Sequence, residues 1–234
     1  MSAPILLPEV GSTNDWLLER SDSLPDGQWV RAERQTAGRG RAGRSWTMHP
    51  GNLAASVLVR LRPTDPPAHQ LGLVAGVALA ETAARFVAPR RLLLKWPNDL
   101  LLDGAKLAGI LCERRAACVV VGLGVNLAQA PPIAGRATAA LPPPAPDPDS
   151  FLALLASRFA HWRALWGELG FAPVREAWLQ RAHRPGTPLT VSGPPQRQGG
   201  FAGLDAEGAL LLDTGRGVET VRSGEVVLAA AGSG

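Results

Sequence analysis

Two apolar runs, Trp29–Arg34 and Leu53–Leu61, bracket a stretch in which glycine and arginine alternate. Their length and their polar borders predict strands over 28–35 and 53–61, with the Arg-Gly stretch as the loop between them. Upstream, Gly11 to Arg20 opens a short helix. Ser12 or Thr13 can N-cap it, and Asp15 stands three after Ser12, as in a capping box. Asp65-Pro66 combines an N-cap with a proline at the first helical position and predicts a helix reaching about Phe86. Leu71, Val74, Val77 and Leu79 alternate there with Gly72, Ala75, Gly76 and Ala80, so that helix is expected to be buried on most sides.

From Arg91 the pattern turns to hairpins. A strand ends at Lys95, Pro97 breaks the pairing, and a second strand starts near Asp99. Asp103-Gly104 is a turn signal, and Lys106–Glu113 and Cys118–Asn126 are further strands. Residues 128–149 are rich in proline and alanine and read as a long loop. Phe151 to Leu169 places Leu152, Leu155, Phe159, Trp162 and Trp166 on one helical stripe, a core-packing pattern, and Phe171–His183 reads as a second helix. After Gly186 short β-like pieces recur at Pro188–Val191, Gly199–Leu204, Ala209–Leu212, Val218–Arg222 and Glu225–Leu228. That spacing predicts a small barrel of roughly 45 residues. The division expected is therefore 1–185 and 186–234.

Composition narrows the class only a little. A chain of 234 residues with 46% hydrophobic and 19% charged residues can bury a real core. A net charge of +4 is too mild to argue for nucleic-acid binding. Cys112 and Cys118 are too few for a disulfide scaffold or a cysteine zinc site, so a reducing, cytoplasmic setting is the default. The first residues lack the pattern of a secretory leader, and no apolar run has the length of a membrane span.

Candidate chemistry centres on Gln35-Thr-Ala-Gly38-Arg39-Gly40-Arg41-Ala-Gly-Arg44-Ser-Trp46. Arginine forks suit phosphate or carboxylate, and the glycines let backbone N–H groups close around an anion. Gly38-x-Gly40-x-x-Gly43 matches a dinucleotide fingerprint, but a β-type run follows it where a helix should stand, which excludes a Rossmann site. A nucleic-acid-binding Arg-Gly segment is a weak fit for so short a run. The stretch alone does not separate a ligand loop from a solvated basic loop. Lys95, at a strand end, can serve as a point charge for a carboxylate or phosphate or can be a surface lysine. Asp99 can hold Mg²⁺, orient an amine, or simply make a turn, and Lys106 flanks the same hairpin. Asn126 follows Gly122-x-Gly124 and can read a base edge. No Walker loop, H-E-x-x-H or G-x-S-x-G is present, and the four histidines have no ligand spacing. Chemistry here would be electrostatic and positional, as in transfer through an acyl-adenylate.

The order of motifs resembles the biotin–protein ligase family. It runs through Ser12-Thr13-Asn14, the Gln35 to Trp46 stretch, Lys95-Trp-Pro-Asn-Asp-Leu100, Lys106-Leu-Ala-Gly109-Ile-Leu111, Gly122-Leu-Gly124-Val-Asn126 and a terminal Gly203-Leu-Asp…Gly224-Glu-Val-Val-Leu. The resemblance covers nearly the whole chain. It implies an α+β fold: a catalytic domain like class II aminoacyl-tRNA synthetases, with a mixed, largely antiparallel sheet flanked by helices, followed by a small SH3-like barrel. It implies that biotin and MgATP give biotinyl-5′-AMP, which a lysine of a biotin carboxyl carrier domain of acetyl-CoA or pyruvate carboxylase then attacks. On the family pattern Ser12, Thr13, Asn14, Gln35, Gly38, Arg39, Gly40, Arg41, Trp46, Lys95, Gly109, Gly122, Gly124 and Asn126 line the biotin and adenylate site. Ser12, Thr13 and Gln35 would meet the ureido ring, Arg39 and Arg41 the phosphates, and Lys95 the biotin carboxylate. Asp99 and Lys106 would serve carrier transfer. The pattern names no metal ligands. Some members carry a DNA-binding domain and some dimerise; here no DNA partner is expected and a homodimer stays open. Loop 128–149 has no tryptophan to stack on adenine, as some members have. A lipoate or octanoyl ligase and an idle biotin- or carrier-binding module are the alternatives; the Arg-Gly loop and terminal barrel oppose the first, and Arg39, Arg41 and Lys95 the second.

Overall fold

A computed structural model describes residues 2–193 and 195–228. Seven strands form one sheet: β1 (Ile5–Val10), β2 (Trp29–Gln35), β3 (Leu53–Arg60), β4 (Leu92–Lys95), β5 (Asp99–Leu102), β6 (Ala105–Arg115) and β7 (Cys118–Val125). Their order is β1-β2-β3-β7-β6-β5-β4, antiparallel throughout except for β1 and β2. That parallel pair requires a crossover, which α1 (Thr13–Glu19) supplies. Five more strands, β8 (Pro188–Ser192), β9 (Arg197–Leu204), β10 (Leu210–Asp213), β11 (Val218–Val221) and β12 (Glu225–Leu228), form an antiparallel sheet in the order β11-β10-β9-β8-β12.

The alternation of β3 and β7 gives the large sheet two different faces. Val57, Val59, Val119, Val121 and Leu123 face one side and join the main core. There they meet α2 (Leu71–Ala83), α3 (Pro148–Leu169) and α4 (Ala172–Leu179). Leu58 and Val120 face the other side, where Leu17 of α1 covers them in a smaller cluster. Further along the same face the residues shrink to Ala54, Ser56, Gly122 and Gly124. This uncovered half of the face is where a cleft forms.

Three expectations are corrected. The helix foreseen from Asp65 starts at Leu71, because Asp65 accepts from the backbone N–H and Nε of Arg62 and does not cap. The capping box is half made: Ser12 Oγ accepts from Asp15 N–H at 3.5 Å, but the Asp15 carboxylate turns outward to Arg39. The helix expected over Phe171–His183 is shorter, ending at Leu179. Strand β1 has no counterpart in the sequence reading. The five terminal strands fall within two residues of their expected bounds.

Candidate active site

Register builds the floor of the cleft. Ala54 pairs with Gly124, Gly124 with Gly109, Gly109 with Asp99, and Asp99 with Lys95, a single row across five strands. Directly opposed residues point to the same face, so the two central glycines leave a trough. Trp46 lies over it. A Cβ on Gly124 would stand 2.2 Å from the Trp46 ring, and one on Gly109 would stand 3.3 Å from it. In the next row Ser56 pairs with Gly122, where a Cβ would strike Asn14 Oδ1 at 2.2 Å.

One end of the trough is neutral and polar. Ser56 Oγ donates to Asn14 Oδ1 at 2.6 Å, and the Thr13 hydroxyl lies 2.7 Å from Ser56 Oγ and 3.2 Å from Gln35 Oε1. Gln35 Oε1 accepts from the Thr13 backbone N–H at 3.0 Å. Asn14 Nδ2 donates to Leu111 O and Glu113 Oε2. Asn14 and Thr13 are thereby spent on protein partners. The Ser12 hydroxyl proton and Gln35 Nε2 have no hydrogen-bond acceptor among the described residues and remain as donors toward the cleft.

The other end is cationic. Lys106 Nζ donates to Asp99 Oδ1 at 2.6 Å and sits 5.6 Å from the Trp46 ring centre. Its backbone is held by the 128–147 loop, through Lys106 N–H to Ala137 O and Ala139 N–H to Lys106 O, both 2.9 Å. Arg41, Arg44 and Arg136 line the same end. Arg41 makes one weak bond, 3.4 Å to Asn98 Oδ1, and burial first, then Arg44, holds its pKa below the usual arginine value. Arg39 differs: its Nη2 pairs with both Asp15 and Glu113, and it braces the loop against α1 and β6.

Lys95 departs from expectation. Its ammonium does not emerge at the strand end; it is 9% exposed, donates to Val226 O at 3.1 Å and pairs with Asp99 Oδ2 at 3.1 Å. It stands behind Asp99, and Lys106 stands in front. Asp99 is likewise beneath the surface of the cleft. Burial pushes the Asp99 carboxyl up, but Lys106 and Lys95 together outweigh it and hold the pKa below the usual aspartate value. Burial lowers the pKa of Lys106, with Asp99 only partly opposing.

Gly38 and Gly40 shape the loop. A Cβ on Gly38 would meet Gln35 Nε2 and Trp46 O at 2.4 Å, and Gly40 N–H donates to Arg44 O at 2.7 Å. Asn126 lies at the edge of a neighbouring cavity of ≈ 440 Å³ that Lys106 and Trp46 also line. Its Nδ2 donates to Ala139 O, while its buried Oδ1 has no partner among the described residues. Such an atom costs free energy unless a ligand or water donates to it.

The sequence reading did not single out Ser56, Asn98, Glu113, Arg136 or Glu225. Ser56 had a signal, a lone hydroxyl in an otherwise apolar strand. Glu225 stood in the terminal motif, but nothing in the sequence tied it or Arg136 to the site: the Glu225 carboxylate takes both Arg44 and Arg136 across large separations in the chain. Among the described residues no three His, Cys, Asp or Glu side chains gather as a metal-ligand set.

Residues 6–126 match the biotin/lipoate A/B protein ligase family, and residues 195–229 match the biotin protein ligase C-terminal domain. The chain is 41% identical to a biotin–[acetyl-CoA-carboxylase] ligase of Paracoccus denitrificans, over 94% of this chain and 98% of that protein. It is 34% identical to the bifunctional ligase/repressor BirA of Escherichia coli, over 97% of this chain and 74% of that one. Among solved structures, a biotin protein ligase from Aquifex aeolicus in complex with biotin and ATP superposes with TM-score 0.86 at 28% identity, covering 99% of this chain and 100% of that one.

Proposed function

The chain belongs to the biotin/lipoate A/B protein ligase family, and from that premise we propose how its cleft divides the work of ATP-dependent biotin transfer. The enzyme is of the biotin–[acetyl-CoA-carboxylase] ligase type, with biotin and MgATP as substrates and a biotin carboxyl carrier protein as acceptor. In the first step a biotin carboxylate oxygen bonds the α-phosphorus, and the bond to the β-phosphate breaks to release pyrophosphate. In the second a carrier lysine nitrogen bonds the acyl carbon, and AMP leaves with the electron pair of the broken C–O bond.

The observation that carries the reading is the polarity of the trough, which is neutral at one end and cationic at the other. Biotin has the same polarity. Its ureido carbonyl wants donors, and Ser12 Oγ–H and Gln35 Nε2 are those left unspent. Its carboxylate must approach an anionic phosphate, and fixed cations reduce that repulsion in a partly dry site. Lys106 takes the role first given to Lys95, because it lines the cleft with its ammonium aimed by Asp99. Of the four arginines lining the cleft, Arg41 is the least committed to protein partners and is assigned to phosphate, while Arg39 positions the loop. Trp46 over the glycines walls the thiophane and valeryl chain. Asn126 Oδ1 is assigned an amino group of adenine. Magnesium enters with ATP.

The same reading takes residues 1–185 as the ligase domain and 186–234 as a second domain that completes it. Acetyl-CoA and pyruvate carboxylase carriers are both proposed acceptors. A homodimer is supported by the outer edge of β1, which pairs with no strand among the described residues. Cytoplasmic residence is supported by two free cysteines. No described helix is long and apolar enough to cross a membrane.

Lys106→Met tests the assignment. Biotin-dependent ATP–pyrophosphate exchange should fall by roughly 10²-fold or more, with circular dichroism unchanged. Near-normal exchange from the folded variant would remove Lys106 from the adenylation step.

A further inference from the structure

The two loops that frame the cleft leave the large sheet side by side. β3 begins at Leu53 and β7 ends at Val125, and these two residues pair as the last rung of the central ladder. The chain entering β3 and the chain leaving β7 therefore share one end of the sheet. Beyond that rung one side chain carries the pairing on. Asn52 Oδ1 accepts from the N–H groups of Ala128 and Gln129, both at 3.0 Å, and Asn52 Nδ2 donates to Gln129 O at 2.8 Å. An amide that offers donor and acceptor together stands in for a peptide group. Gly51 allows the close approach: a Cβ there would stand 2.9 Å from Ala128 Cβ.

The geometry points to Asn52 as a positioning residue for the nucleotide, pinning the two walls of the cavity beside Asn126 at a fixed separation. This rests on the ligase reading given above. Asn52 is 3% exposed and lines neither the cleft nor that cavity, so it acts only through the segments it joins. The segment before it carries Arg44 and Trp46, which form one wall of the ≈ 440 Å³ cavity. The segment after Gln129 carries Pro131, Ile133 and Thr138, which form the other. That second segment also holds the Lys106 backbone through Ala137 and Ala139. A clamp at the shared foot of both walls sets their spacing before the nucleotide arrives. Without it the spacing that fits the nucleotide becomes one arrangement among several, and the apparent affinity falls by the fraction that remains competent. The ureido end of the trough, built from Ser12, Thr13, Gln35 and Ser56, is not among the segments it joins.

The test is Asn52→Ala and Asn52→Asp in the full chain. In biotin-dependent pyrophosphate exchange at saturating biotin, Asn52→Ala should raise the KM for ATP about tenfold while kcat stays within about twofold, because saturating nucleotide restores the closed arrangement. The calorimetric Kd for biotin alone should match that of the parent protein. Asn52→Asp keeps the oxygen that both N–H groups meet, so its KM for ATP should fall between the two. Amide hydrogen–deuterium exchange, which needs no activity, should quicken over residues 128–139 in Asn52→Ala. An unchanged KM for ATP would overturn the assignment. Equal weakening of biotin and ATP would overturn it too, since that is what a general loss of structure produces, and so would equal KM values in the two variants. If Asn52→Ala does not fold, the smaller rise in Asn52→Asp, again without a change in biotin Kd, carries the same comparison. Absence of pyrophosphate release from the unsubstituted protein would instead strike the ligase reading and with it the nucleotide role, while deuterium exchange would still report whether Asn52 clamps the loop.

Discussion

Two lysines from the strands on either side of β5 meet at its one carboxylate, and their difference in position separates support from chemistry. Lys95 closes the back of Asp99 and Lys106 the front. A buried carboxylate with two cations stays ionised, and the cation nearer the cleft is held in one place. Both lysines sit in recognisable motifs, but the sequence does not say which of them faces the trough. That depends on strand register, which places Lys95 at the end of the row and lets Lys106 fold over Gly109. The glycines were legible as motif members, yet their reason is a distance: the missing Cβ makes room for Trp46. Their substitutions should therefore rank. Gly124→Ala puts a methyl 2.2 Å from the ring and should weaken biotin binding by calorimetry well beyond Gly109→Ala, whose Cβ meets the movable Lys106 tip at 3.1 Å. Equal effects would mean that Trp46 does not wall the ligand.

Among the elements, hairpins were the most legible, since alternation and turn residues act locally. Asp103-Gly104 turns the chain between β5 and β6, as those residue types predict. Strand β1 was hidden by Pro8, which interrupts the alternation and lacks an N–H. An edge strand tolerates it, and the pairing passes from Leu7 to Glu9. The start of α2 was misread because Asp65 and two prolines imitate a helix entrance while serving a turn. Beyond the end of α4, His183 packs edge-on to Phe201 of β9 with its Nε2 unpartnered. Burial, then Lys95, lowers its pKa from 6.5 to about 4. The folded state therefore binds fewer protons than the unfolded chain between those values, and stability is lost as pH falls through that window. The melting temperature should drop between pH 7 and pH 5, and His183→Gln should flatten the drop. An identical slope in the variant would assign the loss to other groups.

On the scale of the molecule, the second sheet belongs to the site. Its Leu189, Val191, Phe201 and Leu210 share one core with α2 and the large sheet. Trp96 Nε1 donates to Gly208 O at 3.1 Å, Lys95 to Val226 O at 3.1 Å, and Glu225 holds Arg44 and Arg136. The five short strands could be read from turn spacing, but these ties could not, because they join residues far apart in the chain whose types are unremarkable. They make β12 a support for the cationic end of the trough. The most direct measurement of the whole account is the intact mass of a purified biotin carrier domain after incubation with this protein and MgATP, with biotin or lipoate offered in parallel. The account expects a single biotin-sized gain on the carrier, lost when its target lysine is replaced, and no gain with lipoate. A gain with lipoate alone, or none with either although biotin binds, would contradict it.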